Sequence, residues 1–366
     1  MKNHSILVFG GSFDPPHKYH IEILKSAIKK IKPDKTIIIP TYLSPFKEEH
    51  FSSYIHRKKM IGILLKKNRI KYEIDDFELK RNRKTYTYQI ARYLTQKYPN
   101  STLYFLMGSD SFENIERWKK YKEVLRTFII IVAKRKGFDI DPKKIKKYKP
   151  VILKKSFENL SSTQIRKEIL VLKFIHIDKS IKKYIIKNKL YYTDLIKHIQ
   201  KISSKKRFKH TLSVIKTSLD LAEVYGVNIK KAFLGALLHD ATKDFNIKKQ
   251  IDLIRKSSIK IRKLNTVIKK APQILHQWAS CLYAMVKLNI KDKEVISAIS
   301  KHATGDKNMR LLDKIIYVSD FASDDRNFIE AKMIRKMSFK NIDKAFEKAK
   351  EFKRNYLIRL GKYIYE

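Results

Sequence analysis

Cysteine is nearly absent: Cys281 is the single one in 366 residues. That excludes an intramolecular disulfide and any cysteine-built metal cluster. Its apolar neighbours mark a buried thiol in a reducing compartment. Acidic residues are also few, 36 against 82 Lys and Arg, giving a formal net charge of +46. Such an excess attracts polyanions of every kind. Lys far outnumbers Arg, however, and is spread along the whole chain beside abundant Ile, Asn and Tyr. This is a compositional bias laid over solvated faces, which gives weak, salt-sensitive affinity for nucleic acid and equally favours phosphate-rich small substrates. Long apolar runs are missing too. The longest, FIIIVA at 128–133, suits a buried strand and cannot span a bilayer, and SILVF at 5–9 is too short for a signal-peptide core. These absences predict a soluble, cytoplasmic protein with no membrane association and no specific nucleic-acid partner.

The chain is long enough for two cores, and 43% hydrophobic against 32% charged residues is a globular balance. SILVF, KTIIIP, TLYFLMG and FIIIVA are β-type runs, and between them 18–31, 54–67, 85–98 and 113–126 carry helical spacing. Alternation of this kind predicts a doubly wound, Rossmann-like α/β domain with a parallel sheet over 1–192, its ligand crevice at the carboxyl ends of the strands. After Tyr192 strand-like runs almost vanish. Helical patterns at 195–202, 207–225, 230–240, 247–256, 274–289, 292–302, 310–321 and 341–364 predict an all-α domain over 193–366. The Lys-rich 141–150 stretch reads as a solvated helix or loop.

The first strand runs into GGSFDPPHKYH, Gly10 to His20. Paired glycines let the backbone approach a phosphate without a Cβ clash, and Asp14-Pro15-Pro16 turns into a helix starting near His17. His17 and His20 lie three apart, so both imidazoles project from one face of the first turn. With the free N–H groups of the helix end they make an anion site. Two imidazoles without a third ligand make a poor zinc site, and the glycine pair is not the GxGxxG of dinucleotide cofactors.

This segment resembles the signature of nucleotidyltransferases, specifically the nicotinate-nucleotide adenylyltransferases. IPTYLSPFK (39–47), KTYTYQI (84–90), MGSDSFENIERWKKYKEVL (107–125), VAKRKGF (132–138) and LSSTQIRKEI (160–169) resemble further motifs of that family, in order, over nearly all of 5–192. The resemblance implies in-line attack by the 5′-phosphate of nicotinate mononucleotide on the α-phosphorus of ATP, with Mg²⁺ bridging phosphates and no protein nucleophile. His17 and His20 would hold the α-phosphate, and Lys47 and Arg166 the leaving pyrophosphate. Gly10, Gly11, Ser12, Phe13, Gly108, Asp110, Ser162 and Thr163 would line the ATP site. Thr85, Tyr86, Thr87, Trp118 and Arg135 would bind the mononucleotide. Tyr19 departs from the family, which has Gly there.

Beyond residue 200 only four histidines occur, His210, His239, His276 and His302, and Asp240 and Asp320 stand in comparable helical surroundings. Six N/O ligands exceed the need of one catalytic ion, and a two-metal site with a shared carboxylate is the economical arrangement. Imidazole and carboxylate suit iron, manganese or zinc. The order H…HD…H…H…D resembles the HD-domain metal phosphohydrolases, and over roughly 195–366 the YqeK-like symmetrical diadenosine-tetraphosphatases. That resemblance implies a two-iron centre held by the six residues, Asp240 bridging the ions, with Lys243 and Arg326 near the polyphosphate of diadenosine tetraphosphate. Gln277 and Ser323 depart from residues common in that subgroup.

Together these predict a bifunctional enzyme: adenylyl transfer from ATP to nicotinate mononucleotide, and hydrolysis of diadenosine tetraphosphate to ADP. The alternatives are another acceptor (nicotinamide mononucleotide or phosphopantetheine) with an HD nucleotidase of different specificity, or a nucleotide- or nucleic-acid-binding regulator.

Overall fold

In a computed structural model the residues described are 4–43, 50–257 and 261–365. Lys47 lies outside them. The chain divides into two compact units, Met1–Tyr191 and Tyr192–Glu366.

The first unit is built on a six-stranded sheet in the order β3-β2-β1-β4-β5-β6, comprising β1 (His4–Gly11), β2 (Lys35–Pro40), β3 (Glu73–Ile74), β4 (Ser101–Gly108), β5 (Ile129–Ala133) and β6 (Val151–Ile152). Every pairing is parallel. Along β1 the side chains alternate between two cores. Leu7 and Phe9 join Leu24, Ala27 and Leu64, whereas Ile6 and Val8 join Ile90, Leu94 and Val124. Helix Lys18–Ile31 therefore covers one face and helix Thr87–Lys97 the other, which is the doubly wound arrangement. Leu24 is fully buried, and truncation to Ala would cost about 2–5 kcal/mol. Strand order reverses between β1 and β4, so the crevice opens where Gly10-Gly11 and Gly108 end their strands.

The expected helix over 113–126 is broken into Ser109–Glu113, a tight turn Ile115–Arg117 and Tyr121–Thr127. Trp118 takes extended backbone (φ −74, ψ 137) and Lys120 a left-handed one, bringing the indole edge-on to Phe105 on β4. The helices Pro142–Tyr148, Ser162–Leu170 and Lys179–Lys187 are each started by a side chain, of Asp141, Ser161 and Asp178, accepting a backbone N–H of the first turn.

The second unit is helical among the described residues. Helices Lys205–Val224, Ile229–Leu238, Lys293–Lys301 and Leu311–Ala322 form its centre, with Ile342–Arg359 packed on the last of these. Gly235 lets two helices close: a Cβ there would meet Ile316 Cγ1 at 3.0 Å. Helices Leu264–Lys270 and Ile329–Ser338 were not expected, and the run over 274–289 splits into Leu275–Leu282 and a wider π-helical turn, Tyr283–Lys287. No described helix is long and apolar enough to cross a membrane.

Candidate active sites

At the end of β1 the Asp14-Pro15-Pro16 turn is held from three directions. The Asp14 carboxylate, buried, accepts Phe51 N–H (2.8 Å), Ser52 Oγ–H (2.8 Å) and Tyr191 O–H (2.7 Å). Burial pushes this carboxyl up, but His50, the Arg166 charge and these donors outweigh it and keep it below the usual range. Arg57, fully buried, donates to the carbonyls of Ser12 (2.7 Å), Thr41 (2.6 Å) and Ser52 (3.1 Å), fastening three loops. Arg166 donates to Asp14 O (2.6 Å) and Thr163 Oγ1 (2.9 Å), and Ser162 Oγ donates to Pro15 O (3.2 Å). Helix Ser162–Leu170 thus clasps the turn. Arg57 escaped sequence reasoning because one Arg among many Lys carries no pattern.

The turn delivers His17 as the cap of helix Lys18–Ile31. Its backbone N–H donates to His20 Nδ1 at 3.2 Å, and the two rings lie 3.8 Å apart. With Nδ1 an acceptor, the proton of a neutral His20 is on Nε2. Burial, then the Arg135 charge, pushes His20 down to about 3, and burial and His20 depress His17 likewise. The pair is therefore a set of neutral N–H donors rather than cations. His17 Nδ1 is buried without a hydrogen-bond partner, a group left for a ligand. Phe13, itself fully buried, backs His20 edge-on at 5.2 Å.

Across the crevice Asp110 Oδ2 pairs with Arg135 Nη1 at 3.3 Å, and Ser109 Oγ accepts Arg135 N–H at 3.1 Å. A Cβ on Gly108 would stand 2.4 Å from Asp110 Oδ1, so a side chain there would displace the Asp110–Arg135 pair. Thr85 is buried and Tyr86 begins helix Thr87–Lys97, its ring stacked on Tyr88 and covered by Lys119 at 5.0 Å. Trp118 is half-buried. Tyr19 stands edge-on to His17 with ring centroids 6.1 Å apart, its face under Lys18 Nζ at 4.9 Å. The phenol flanks the histidine pair.

In the second unit six side chains fall into two groups of three: His210, His239 and Asp320, and Asp240, His276 and His302. His210 and Asp320 come from helix interiors. His239 and Asp240 follow the end of helix Ile229–Leu238 rather than lying within it, and His302 follows Lys293–Lys301. For three of the rings, the backbone carbonyl three residues earlier sets the orientation. His239 Nδ1–H donates to Ala236 O, His302 Nδ1–H to Ile299 O and His276 Nδ1–H to Gln273 O, each at 2.7 Å. His210 Nδ1–H donates to Asp325 Oδ2 at 2.9 Å. Every Nε2 lone pair is thereby turned inward, the outer-shell device of histidine metal sites.

The Nε2 atoms of His276 and His302 lie 3.0 Å apart and 3.1 and 3.4 Å from Asp240 Oδ1, while Asp240 Oδ2 is 3.6 Å from His239 Nε2. Asp240 thus faces both groups. His210 Nε2 reaches Asp320 Oδ1 at 2.9 Å. Burial pushes His239 and His276 down to about 4, so both are neutral at physiological pH. Burial opposes ionisation of Asp240 and Asp320, but the surrounding histidines hold both carboxyls well below their usual range. Neutral His239 and His276, ionised carboxylates and an orphaned, buried His239 Nε2 are what a metal centre requires. Arg207 Nη1 bonds Asp240 Oδ2 at 2.6 Å, Lys243 Nζ lies 3.2 Å from His276 Nε2, and Arg326 Nη2 lies 3.6 Å from Asp320. Arg207 was not anticipated. These groups line a cavity of about 1800 Å³.

A parallel sheet with a histidine pair at its switch point, followed by a helical unit with paired three-ligand groups, defines the class: a nucleotidyltransferase joined to an HD-type phosphohydrolase. The cytidylyltransferase-like family pattern matches residues 8–168 and the HD domain pattern residues 207–321. The chain is 40% identical over 162 residues to a "Probable nicotinate-nucleotide adenylyltransferase" of Nitratiruptor sp., covering 44% of this chain and 86% of that protein. It is 29% identical over 353 residues to a "Probable nicotinate-nucleotide adenylyltransferase/Ap4A hydrolase" of Mycoplasma genitalium, covering 93% and 95% of the two chains. An HD superfamily hydrolase structure from Clostridium acetobutylicum is also similar (28% identity, TM-score 0.45, covering 48% of this chain and 90% of that one). The chain belongs to the nicotinate-nucleotide adenylyltransferase family, and it carries an HD domain, which implies divalent-metal binding, in its second half.

Proposed function

We propose that the protein is a bifunctional nucleotide enzyme. The first unit joins ATP and nicotinate mononucleotide into deamido-NAD and pyrophosphate. The second adds water to diadenosine tetraphosphate and releases two ADP. One observation carries this: each unit gathers groups suited to phosphorus chemistry, a neutral donor pair in one and two three-ligand groups in the other. The substrates are those of the cytoplasm, where we place the protein.

In the transferase, the mononucleotide phosphate attacks the α-phosphorus and the bond to the pyrophosphate oxygen breaks. His20 Nε2–H and His17 are the donors offered to the α-phosphate, and Arg135 supplies nearby positive charge. Asp110, anchored by Arg135, is placed for a ribose or base contact. Arg166 acts chiefly by holding the turn that carries His17, since two of its nitrogens are already engaged there. Mg²⁺ arrives with ATP. Tyr86, Thr87 and Trp118 are the candidate walls for the pyridine mononucleotide.

In the hydrolase, His210, His239 and Asp320 would hold one ion and Asp240, His276 and His302 the other, with Asp240 facing both. Iron suits this N/O set. Bound ions would supply Lewis-acid charge to the phosphoryl group and acidify water. The chain's own part is to fix the imidazoles through their Nδ1–H bonds and to present Lys243, Arg326 and Arg207 to phosphate oxygens. A cavity of about 1800 Å³ exceeds the 300–1,000 Å³ of ordinary ligand sites and suits a dinucleotide.

Pyrophosphate release with nicotinate mononucleotide, measured against nicotinamide mononucleotide and phosphopantetheine at equal ATP, tests the first half. Preference for either of the others would overturn it. ADP as sole product from diadenosine tetraphosphate, by the metal-loaded protein, tests the second, and an AMP-plus-ATP product would contradict it.

A further inference from the structure

Three fully buried polar side chains of the second unit take no part in the chemistry set out above: Thr242, Gln277 and Ser280. Gln277 and Ser280 lie on helix Leu275–Leu282, which also carries His276. Each stands beside a metal donor or bonds to a residue that does. Gln277 directly follows His276, Ala303 directly follows His302, and Thr242 is two residues beyond Asp240.

Gln277 Oε1 accepts Ala303 N–H at 3.3 Å, and Thr304 N–H and Oγ1–H at 3.2 Å each. Lys353 Nζ donates to the carbonyl of the same Ala303. The first residue after His302 is therefore held at both its backbone groups. From the same helix, Ser280 Oγ accepts Thr242 N–H at 3.0 Å and lies 3.0 Å from Thr242 Oγ1, whose hydroxyl donates to His276 O at 3.3 Å. One helix thus grips the turn after Asp240 and the turn after His302, and itself carries the third donor of that group. Gln277 Nε2 is buried with no hydrogen-bond partner among the described residues, which costs about 1–3 kcal/mol. The three donors taken up by Oε1 offset that cost.

We infer that Gln277 is a positioning residue for the group Asp240, His276 and His302, with the Thr242–Ser280 pair completing the clamp. It ties the chain beside one histidine to the chain beside the other, and so holds the two Nε2 atoms, 3.0 Å apart, at the spacing that one shared ion needs. Neither histidine belongs to the other group, His210, His239 and Asp320, so the effect of Gln277 falls on one ion of the two. This rests on the two-ion reading proposed above.

The test uses the full-length protein, stripped of metal and titrated with Mn²⁺ alone by calorimetry. Gln277→Met keeps the volume but offers the two amides no acceptor, whereas Gln277→Glu keeps an acceptor oxygen. Wild type should take up two ions per chain. In Gln277→Met one ion should bind at least tenfold more weakly and the other within threefold of wild type, in line with the roughly 10–100-fold effect of partners outside the coordination sphere. The visible absorption of bound Co²⁺ should change for that ion alone. Gln277→Glu should keep both affinities at or above wild type. Ser280→Ala, which frees the turn after Asp240, should weaken the same ion at least threefold, and it carries the test where circular dichroism shows Gln277→Met to be misfolded. Unchanged affinity for both ions in folded Gln277→Met, equal weakening of both, or no restoration by Gln277→Glu would overturn the inference. Wild-type protein that binds both ions yet leaves diadenosine tetraphosphate intact would overturn the proposed substrate and leave the inference standing.

Discussion

His276 Nε2 lies 3.1 Å from Asp240 Oδ1, and the other oxygen of the same carboxylate turns toward His239. One aspartate therefore links two groups of metal donors that come from distant parts of the chain. Asp240→Asn should reduce bound metal and lower hydrolysis of diadenosine tetraphosphate by at least 100-fold. Removing the metal with a chelator should lower the melting temperature, because an ion at 100 times its Kd stabilises the folded state by about 2.7 kcal/mol. Elemental analysis and calorimetry on the same samples check both, and a chelator-insensitive transition would count against a metal centre.

His20 should not titrate near neutrality. Its folded-state value of about 3 lies below the unfolded value of 6.5. Between the two the unfolded chain binds the extra proton, so acidification below 6.5 costs stability. The ring's NMR resonances should stay fixed from pH 8 to pH 5, and a midpoint at 6–7 would show a charged pair. His20→Ala should lower kcat for adenylyl transfer by 10²–10³, the cost of losing one donor to developing charge.

Gly108→Ala should strike ATP use without removing any catalytic group. The new methyl would lie 2.4 Å from Asp110 Oδ1 and 3.1 Å from Arg135 Nε, so the pair must move. KM for ATP should rise at least tenfold, while a Gly62→Ala control, whose nearest neighbour is the Tyr72 hydroxyl at 3.4 Å, should change it little.

Glu78 gives a pH dependence of opposite sign to His20's. Burial raises its carboxyl to about 7, above the unfolded value of 4.5. The native state keeps the proton that the unfolded chain releases, so stability falls as pH rises from 4.5 to 7, by about 3 kcal/mol in all. Glu78→Gln retains an acceptor for Tyr42 N–H and should raise the melting temperature above pH 7 but not at pH 5. A gain independent of pH would contradict this.

Much of this molecule was legible in its sequence because two kinds of pattern were strong. Alternating apolar runs gave the four long strands and the helices 18–31 and 54–67, since strands buried on both faces leave unbroken Ile, Val and Leu. Histidine order picked out six side chains that the fold gathers into two groups of three, because few other residues suit that chemistry. Short pieces were missed where tertiary contact, not periodicity, makes them. β3 and β6 are two residues each, and the break at Trp118 exists because the ring must reach Phe105. The neutrality of the His17–His20 pair was also hidden, since it depends on burial. So was the restraint on Arg166, whose carbonyl partner at Asp14 lies 152 residues away.

The central claim is that one chain carries two separate phosphorus chemistries. The most direct measurement assays pyrophosphate release from ATP with nicotinate mononucleotide, and ADP release from diadenosine tetraphosphate, on matched preparations of wild type, His20→Ala and Asp240→Asn. His20→Ala should lose the first activity and keep the second, and Asp240→Asn should do the reverse. Loss of both activities in either variant, or of neither in both, would contradict the account.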